Sequence, residues 1–192
     1  MLEFAVLGLL HESPMHGYEL RTRLRVKLGA FRAFSYGSLY PTLRRLRAAG
    51  WITVEEPDPA AAAPALAGRR GKVVYRLTAE GKERLADLLA QAGPEAYNDE
   101  SFGVHFAFFA QTDADVRMRI LEGRRRRVEE RRDGLRAALG RTRERLDRYT
   151  LELQKHGLDA VEREVRWLNE LIDTERRERA ERPPDSAPSQ PE

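Results

Sequence analysis

Residues 35–55 read SYGSLYPTLRRLRAAGWITVE, and the change of period inside this stretch decides the fold. Leu39, Leu43 and Leu46 fall at i, i+4 and i+7, the spacing of a helix face that docks on a core. About half a turn away stand Gly37, Ser38, Pro41, Arg44, Arg45 and Ala48. Small groups at the front and two guanidinium groups behind suit a helix that enters the major groove: little bulk where backbone meets DNA, then long donors for guanine edges or phosphates. Tyr36 and Tyr40 flank this face, and their hydroxyls can bond phosphate oxygens. The first amides of a helix starting near Ser35 add partial positive charge. Gly50 stops the helix, and residues 51–55 alternate with the period of a strand.

Upstream, residues 2–11 form a helix with Leu2, Val6, Leu9 and Leu10 along one side, ended by Ser13-Pro14. A second runs from His16 to Lys27 and stops at Gly29, with Tyr18, Leu20, Leu24 and Leu28 set among Arg21, Arg23 and Arg25. Those three arginines recur every second residue, so they point to different sides, and one or two at most reach a ligand. Downstream, residues 72–77 alternate as a second strand. The connection between the strands, PDPAAAAPALAGRRG, ends in a basic cluster. Arg69, Arg70 and Lys72 are placed where a wing tip would meet the minor groove or backbone. Thr78 is positioned to cap a fourth helix, to about residue 92, that buries Leu85, Leu88 and Leu89. Two arginines alone describe any solvated helix face. Three helices followed by a hairpin are the element order of a winged helix-turn-helix, and that order favours the groove-facing reading of Arg44 and Arg45.

Three segments carry a family resemblance: MHGYEL at 15–20, SYGSLYPTLRRLRAAGWI at 35–52 and VYRLTAEG at 74–81. They resemble the PadR family of bacterial transcriptional regulators, over residues 1–92 and more loosely beyond. In that family a glycine-serine-leucine-tyrosine-proline run opens the recognition helix, and a tyrosine-arginine-leucine-threonine stretch closes the wing. The resemblance implies a homodimeric repressor whose C-terminal helices pair and whose two wings sit on a palindromic double-stranded DNA operator. It places Tyr18, Ser35, Tyr36, Ser38, Tyr40 and Thr42 in or beside the DNA-facing region, although the helical wheel puts Thr42 nearer the buried side. The connection carrying Arg69 and Arg70 is longer than the family's short wings.

The rest of the chain reads as a helical association region. Gly93-Pro94 marks a boundary, giving a DNA-binding domain over 1–92, a helical dimerisation and effector domain over 93–182 and a proline-rich tail over 183–192 that composition marks as disordered. Thr112 and Asp115 start a long helix that continues to His156. Leu135, Leu139, Thr142, Leu146, Tyr149 and Leu153 alternate by fours and threes along it, a heptad seam. Gly157 closes this helix and Asp159 opens another, in which Val161, Val165, Leu168 and Ile172 continue the spacing. The two are expected to fold back antiparallel with a face left for a partner subunit. Tyr97, Phe102, Phe106, Phe108, Phe109 and Trp167 fit either a plain core or a pocket for a small aromatic effector, a ligand class that some PadR-like proteins bind.

Charge and composition agree with this division. Residues 1–92 hold 14 Lys+Arg against 9 Asp+Glu, and the remainder 20 against 22, a basic module joined to a balanced one. Cysteine is absent, which excludes disulfides, zinc-thiolate sites and thiol catalysis. His11, His16, His105 and His156 are scattered without an HExxH spacing, and there is no GxSxG elbow or phosphate-cradling loop, so neither an enzyme nor a cofactor is expected. The N-terminal apolar run has no basic leader and carries Glu3, no stretch approaches the ~20 apolar residues of a membrane span, and a cytoplasmic protein is expected. The competing class is a helical adaptor or scaffold, supported by the Arg/Glu-rich run from 122 to 182; it leaves the hairpin and the α-helical basic face unexplained.

Overall fold

A helix that is apolar all round must be buried all round, and the first helix, α1 (Leu2–Glu12), is of that kind. In the computed structural model, which describes residues 1–29, 38–55, 73–142 and 145–181, every residue from Phe4 to Leu10 is buried. The one-sided stripe expected for α1 is therefore wrong: it is the central rod of its unit. Ser13 adopts extended backbone and donates its N–H to the Leu9 carbonyl, ending the helix where Pro14 required it.

Next come β1 (Met15–His16), α2 (Gly17–Leu28), α3 (Leu39–Ala48), β2 (Ile52–Glu55), β3 (Val74–Leu77) and α4 (Ala79–Leu89). The strands form an antiparallel sheet in the order β1-β3-β2, with Met15 opposite Tyr75, Ile52 opposite Leu77 and Glu55 opposite Val74. β1 was not foreseen. Two residues give no alternation to read, and the His16 ring nitrogen Nδ1 lies 3.2 Å from the Val73 carbonyl. α3 closes on Gly50, at φ +75°, with Trp51 N–H donating to the Leu46 carbonyl at 3.0 Å, the six-to-one bond of a Schellman stop. Residues 30–37, most of the expected front of this helix, lie outside the described residues, as does the connection at 56–72.

Thr78 and Gly81 lock α4 to the start of β2. The Thr78 hydroxyl donates to the Gly50 carbonyl at 2.7 Å and accepts from Gly81 N–H at 3.0 Å, while Thr78 N–H donates to the Trp51 carbonyl. A Cβ on Gly81 would stand 2.0 Å from the Trp51 carbonyl oxygen, so only glycine permits this approach.

The chain divides into two compact units: Met1–Gln91 with Asn98–Asp113, and Ala92–Tyr97 with the chain from Ala114 on. The boundary drawn at Gly93-Pro94 thus falls differently. Asn98–Asp113, containing α6 (Phe102–Ala107) and a 3-10 turn (Phe109–Gln111), returns to the first unit. The reason is packing. Phe108 is buried against Phe4, ring centroids 5.3 Å apart, and Lys27 Nζ stands 4.5 Å above its ring. Gly8 makes room for it, since a Cβ there would meet Phe108 Cε1 at 2.4 Å.

The second unit holds the short α5 (Pro94–Tyr97) and two long helices, α7 (Ala114–Thr142) and α8 (Arg148–Glu181). α7 passes through Gly123, Gly134 and Gly140, and α8 through Gly157, so the expected break at Gly157 is corrected to the segment before Arg148. Asp147 explains the new position: its carboxylate accepts from the N–H groups of Tyr149 and Thr150 at 2.9 and 3.1 Å, an N-cap in the usual sense. The helices run antiparallel, as expected, and ion pairs link their facing sides: Asp115–Arg179, Arg117–Glu175, Glu122–Arg176, Arg124–Glu164 and Arg136–Glu162. No helix among the described residues is long and apolar enough to cross a membrane.

Candidate nucleic-acid interface

α3 buries Leu39, Thr42, Leu43 and Leu46 and exposes Ser38, Tyr40, Pro41, Arg44, Arg45, Arg47 and Ala48. The sequence-based division of its faces therefore holds at every described position. It also settles the conflict over Thr42: at 5% exposure this residue faces the core, and the role implied by resemblance is corrected to a packing one. Arg47, left out of the sequence-derived face, is exposed as well; it lies one turn beyond Arg44 and was legible on the wheel.

Around this helix the side chains divide by partner. Arg45 Nη2 lies 3.8 Å from Glu3 Oε2, and Arg84 donates to Glu3 Oε1 through Nε and Nη2 at 3.1 and 3.0 Å. The Arg84 guanidinium also stacks 5.1 Å from the Trp51 ring. Arg44 has no ion pair among the described residues. Tyr40 packs beside Gly17: a Cβ there would meet its ring at 3.3 Å, with the Tyr75 ring at 3.6 Å. Tyr18, one residue on, is 76% exposed. The structure thus brings Tyr18, Ser38, Tyr40, Arg44 and Arg45 into one unit with their polar groups outward. Ser35, Tyr36, Gly37, Arg69, Arg70 and Lys72 lie outside the described residues.

What remains after the core is formed is a helix whose outward side offers hydroxyls and guanidinium groups, followed by a two-stranded hairpin on the same unit. Hydrogen-bond donors on such a surface can bind phosphate oxygens and base edges. Residues 6–87 match the family model described as the transcriptional regulator PadR-like family.

This part of the chain is similar to that family. The PadR-like match covers α1 through α4 almost completely, and its class is one of regulators, not of enzymes. The negative transcriptional regulator PadR of Bacillus subtilis is 32% identical over 102 residues, covering 52% of each chain, so the match spans about half of that relative's length. Solved structures of Bacillus subtilis PadR with operator DNA and with p-coumaric acid are both 22% identical and cover 91% of this chain and 98% of theirs, with TM-scores of 0.42 and 0.40.

The residues assigned to dimerisation and to an effector fare differently from the basic face. Val161, Val165, Leu168 and Ile172 are buried within the single chain, on a helix packed along α7. They are covered without a partner subunit, because α7 contributes Val116, Ile120, Leu121 and Val128 to the buried set. Leu135, Leu139 and Leu146 are half-buried, and Leu153 is 68% exposed. The seam is split, because Leu135 and Leu139 lie on α7 and Tyr149 and Leu153 on α8. Tyr149 is 82% exposed. Of the aromatic set, Phe102 is buried, Phe106 and Phe109 are half-buried, and all three belong to the first unit. Trp167 and Tyr97 belong to the second; Tyr97 is seated on Gly123, where a Cβ would meet its ring at 2.4 Å.

Proposed function

We propose that the chain is a DNA-binding transcriptional regulator, a homodimeric repressor acting on a palindromic operator in the cytoplasm. The observation that carries this reading is the outward face of α3, with Ser38, Tyr40, Arg44 and Arg45 exposed inside a PadR-like domain. α3 enters the major groove, Arg44 reads a base edge, and the tyrosine hydroxyls and Arg45 hold phosphates. Ser35, Tyr36 and Gly37 extend this surface, and Arg69, Arg70 and Lys72 contact the adjacent backbone or minor groove.

Pairing of two subunits covers Tyr149 and Leu153, the exposed large apolar side chains of α8, with Leu135, Leu139 and Leu146 beside them. Two-fold symmetry sets two copies of α3 about one DNA turn apart, roughly 34 Å. Release by a small aromatic ligand is supported by Phe106 and Phe109, whose rings stand 5.0 Å apart and keep some exposure. The fluorescence of Trp51 and Trp167, titrated with a panel of phenolic acids, tests it, and no response in either this or a displacement assay removes it.

The regulator reading is tested by a gel shift on the promoter region of its own gene at two salt concentrations. Specific binding that weakens steeply with salt is expected, because each phosphate contact releases counterion. No shift at either salt assigns the chain to the adaptor class instead.

A further inference from the structure

α1, α3 and α4 meet over one carboxylate. Glu3, near the start of α1, accepts two hydrogen bonds at Oε1 from Arg84 of α4, at 3.1 and 3.0 Å. Its second oxygen, Oε2, has Nη2 of Arg45 on α3 at 3.8 Å. The two guanidinium groups are held differently. Arg84 is fixed from two sides, by Glu3 and by the Trp51 ring 5.1 Å away. Arg45 stands beyond hydrogen-bond distance, and its side chain is 65% exposed against 20% for Glu3. Arg84 therefore ties the carboxylate to α4, and the carboxylate draws Arg45 towards α1 without locking it.

We propose that Glu3 is a positioning residue for DNA recognition: it confines Arg45 to the α1 flank of α3, where the guanidinium meets a backbone phosphate, and so leaves base reading to Arg44. The inference rests on the regulator reading and adds a residue that itself touches no DNA. Arg44 and Arg45 are adjacent, equal in reach and both exposed, so α3 alone does not decide which of them reads a base. Either can span to a guanine edge or to a phosphate. A carboxylate on one side of the helix separates the two, because an arginine attracted to an anion gives up part of its rotamer freedom. A confined Arg45 meets its phosphate in the register that Arg44 selects. A free Arg45 meets phosphates in many registers, which favours unrelated duplexes. Specificity is a difference of affinities, and Glu3 acts on that difference.

The test reads the ratio of affinity for a duplex selected from a random pool to affinity for an unrelated duplex. It is measured at one salt concentration for the wild type, Glu3→Gln, Arg84→Gln, Arg45→Ala and the double variant Glu3→Gln/Arg45→Ala. Glu3→Gln lowers the ratio about two- to fivefold, the range of an exposed ion pair, through tighter binding of the unrelated duplex. Arg45→Ala weakens both duplexes equally and keeps the ratio, and the double variant keeps it too, since Glu3 acts only through Arg45. Arg84→Gln removes the bonds to α4 but leaves the carboxylate charge beside Arg45, and it keeps the wild-type ratio. An unchanged ratio in Glu3→Gln overturns the proposal, including the case where both duplexes bind equally more tightly because one negative charge is gone. The same fall in the Arg45→Ala background overturns it, as does an equal fall in Arg84→Gln, which marks loss of packing among the three helices. If Glu3→Gln does not fold, Arg45→Ala decides: an unaltered half-site preference supports the proposal, and an altered one makes Arg45 a base reader and overturns it. A wild type that binds no duplex at all overturns the regulator reading itself, and this inference with it.

Discussion

Arg45 Nη2 stands 3.8 Å from Glu3 Oε2, whereas its neighbour Arg44 has no carboxylate partner among the described residues. Glu3 is itself held by two hydrogen bonds from Arg84, so Arg45 is drawn to the flank of α3 nearest α1 and Arg44 is left on the outward side. Adjacent arginines on one helix therefore have different surroundings. Arg44→Ala should cost about 1–3 kcal/mol of specific affinity and relax preference at one operator position. Arg45→Ala should weaken binding evenly across sequences and lower the salt slope by about 1. Selection from a random pool, repeated on both variants, checks the pair of outcomes.

Two glycines mark approaches that a methyl group would block. At Gly81 the obstacle is the Trp51 carbonyl, which is backbone; at Gly8 it is the Phe108 ring. Gly81→Ala should destabilise by at least the overpacking range of about 1–3 kcal/mol. Gly8→Ala should cost less when combined with Phe108→Leu than alone, since a smaller side chain yields the space. Urea unfolding of the three variants tests the order.

His105 gives the first unit a pH dependence. It is buried, its Nε2 has no hydrogen-bond partner among the described residues, and its ring meets that of Phe4 edge-on at 4.9 Å. Burial, and secondarily the N-terminal ammonium, push the imidazole down to about 4 from its ordinary 6.5. Between those values the unfolded chain binds the proton and the folded chain does not. The His105 contribution is therefore complete above pH 6.5 and is lost as pH falls towards 4, with a slope of up to about 1.4 kcal/mol per pH unit. His105→Phe should flatten that part of the profile in denaturant titrations at pH 7 and 4.5, relative to the wild type.

The second unit carries both fully buried and widely exposed leucines on α8. Leu168 is fully buried inside one chain, while Leu153 is 68% exposed. Leu168→Asp should unfold the helix pair, because an unpaired charge in a core is strongly destabilising. Leu153→Asp or Tyr149→Asp should leave helicity and the thermal midpoint of the separated chain unchanged and shift sedimentation from dimer to monomer. Dimeric sedimentation by both surface variants removes Tyr149 and Leu153 from the interface.

Much of the first unit is legible in the sequence because its signals are local. Leu39, Leu43 and Leu46 repeat with helical period, Gly50 adopts the positive φ that stops α3, and Thr78 caps α4 as its position announced. Even the exposure of Arg44 and Arg45 and the burial of Thr42 follow from one helical wheel. The long helices were less legible. A heptad spacing continues from Leu135 to Leu153 without a break, yet Asp147 caps a new helix inside it, and periodicity cannot tell which of two apolar stripes is covered from within the same chain.

The amino-acid order by itself determined the helices and strands of the PadR-like segment and the polarity of their faces, since both depend on residues within a turn or two of each other. Tertiary structure alone decided which charges find partners: Glu3 reaches Arg84 across 81 positions, and Glu12 reaches Lys27 across 15. It likewise returned Asn98–Asp113 to the first unit through Phe108 and drew Arg23 to Glu12. Contacts between distant segments depend on how faces meet after the helices form, and no spacing along the chain encodes that meeting.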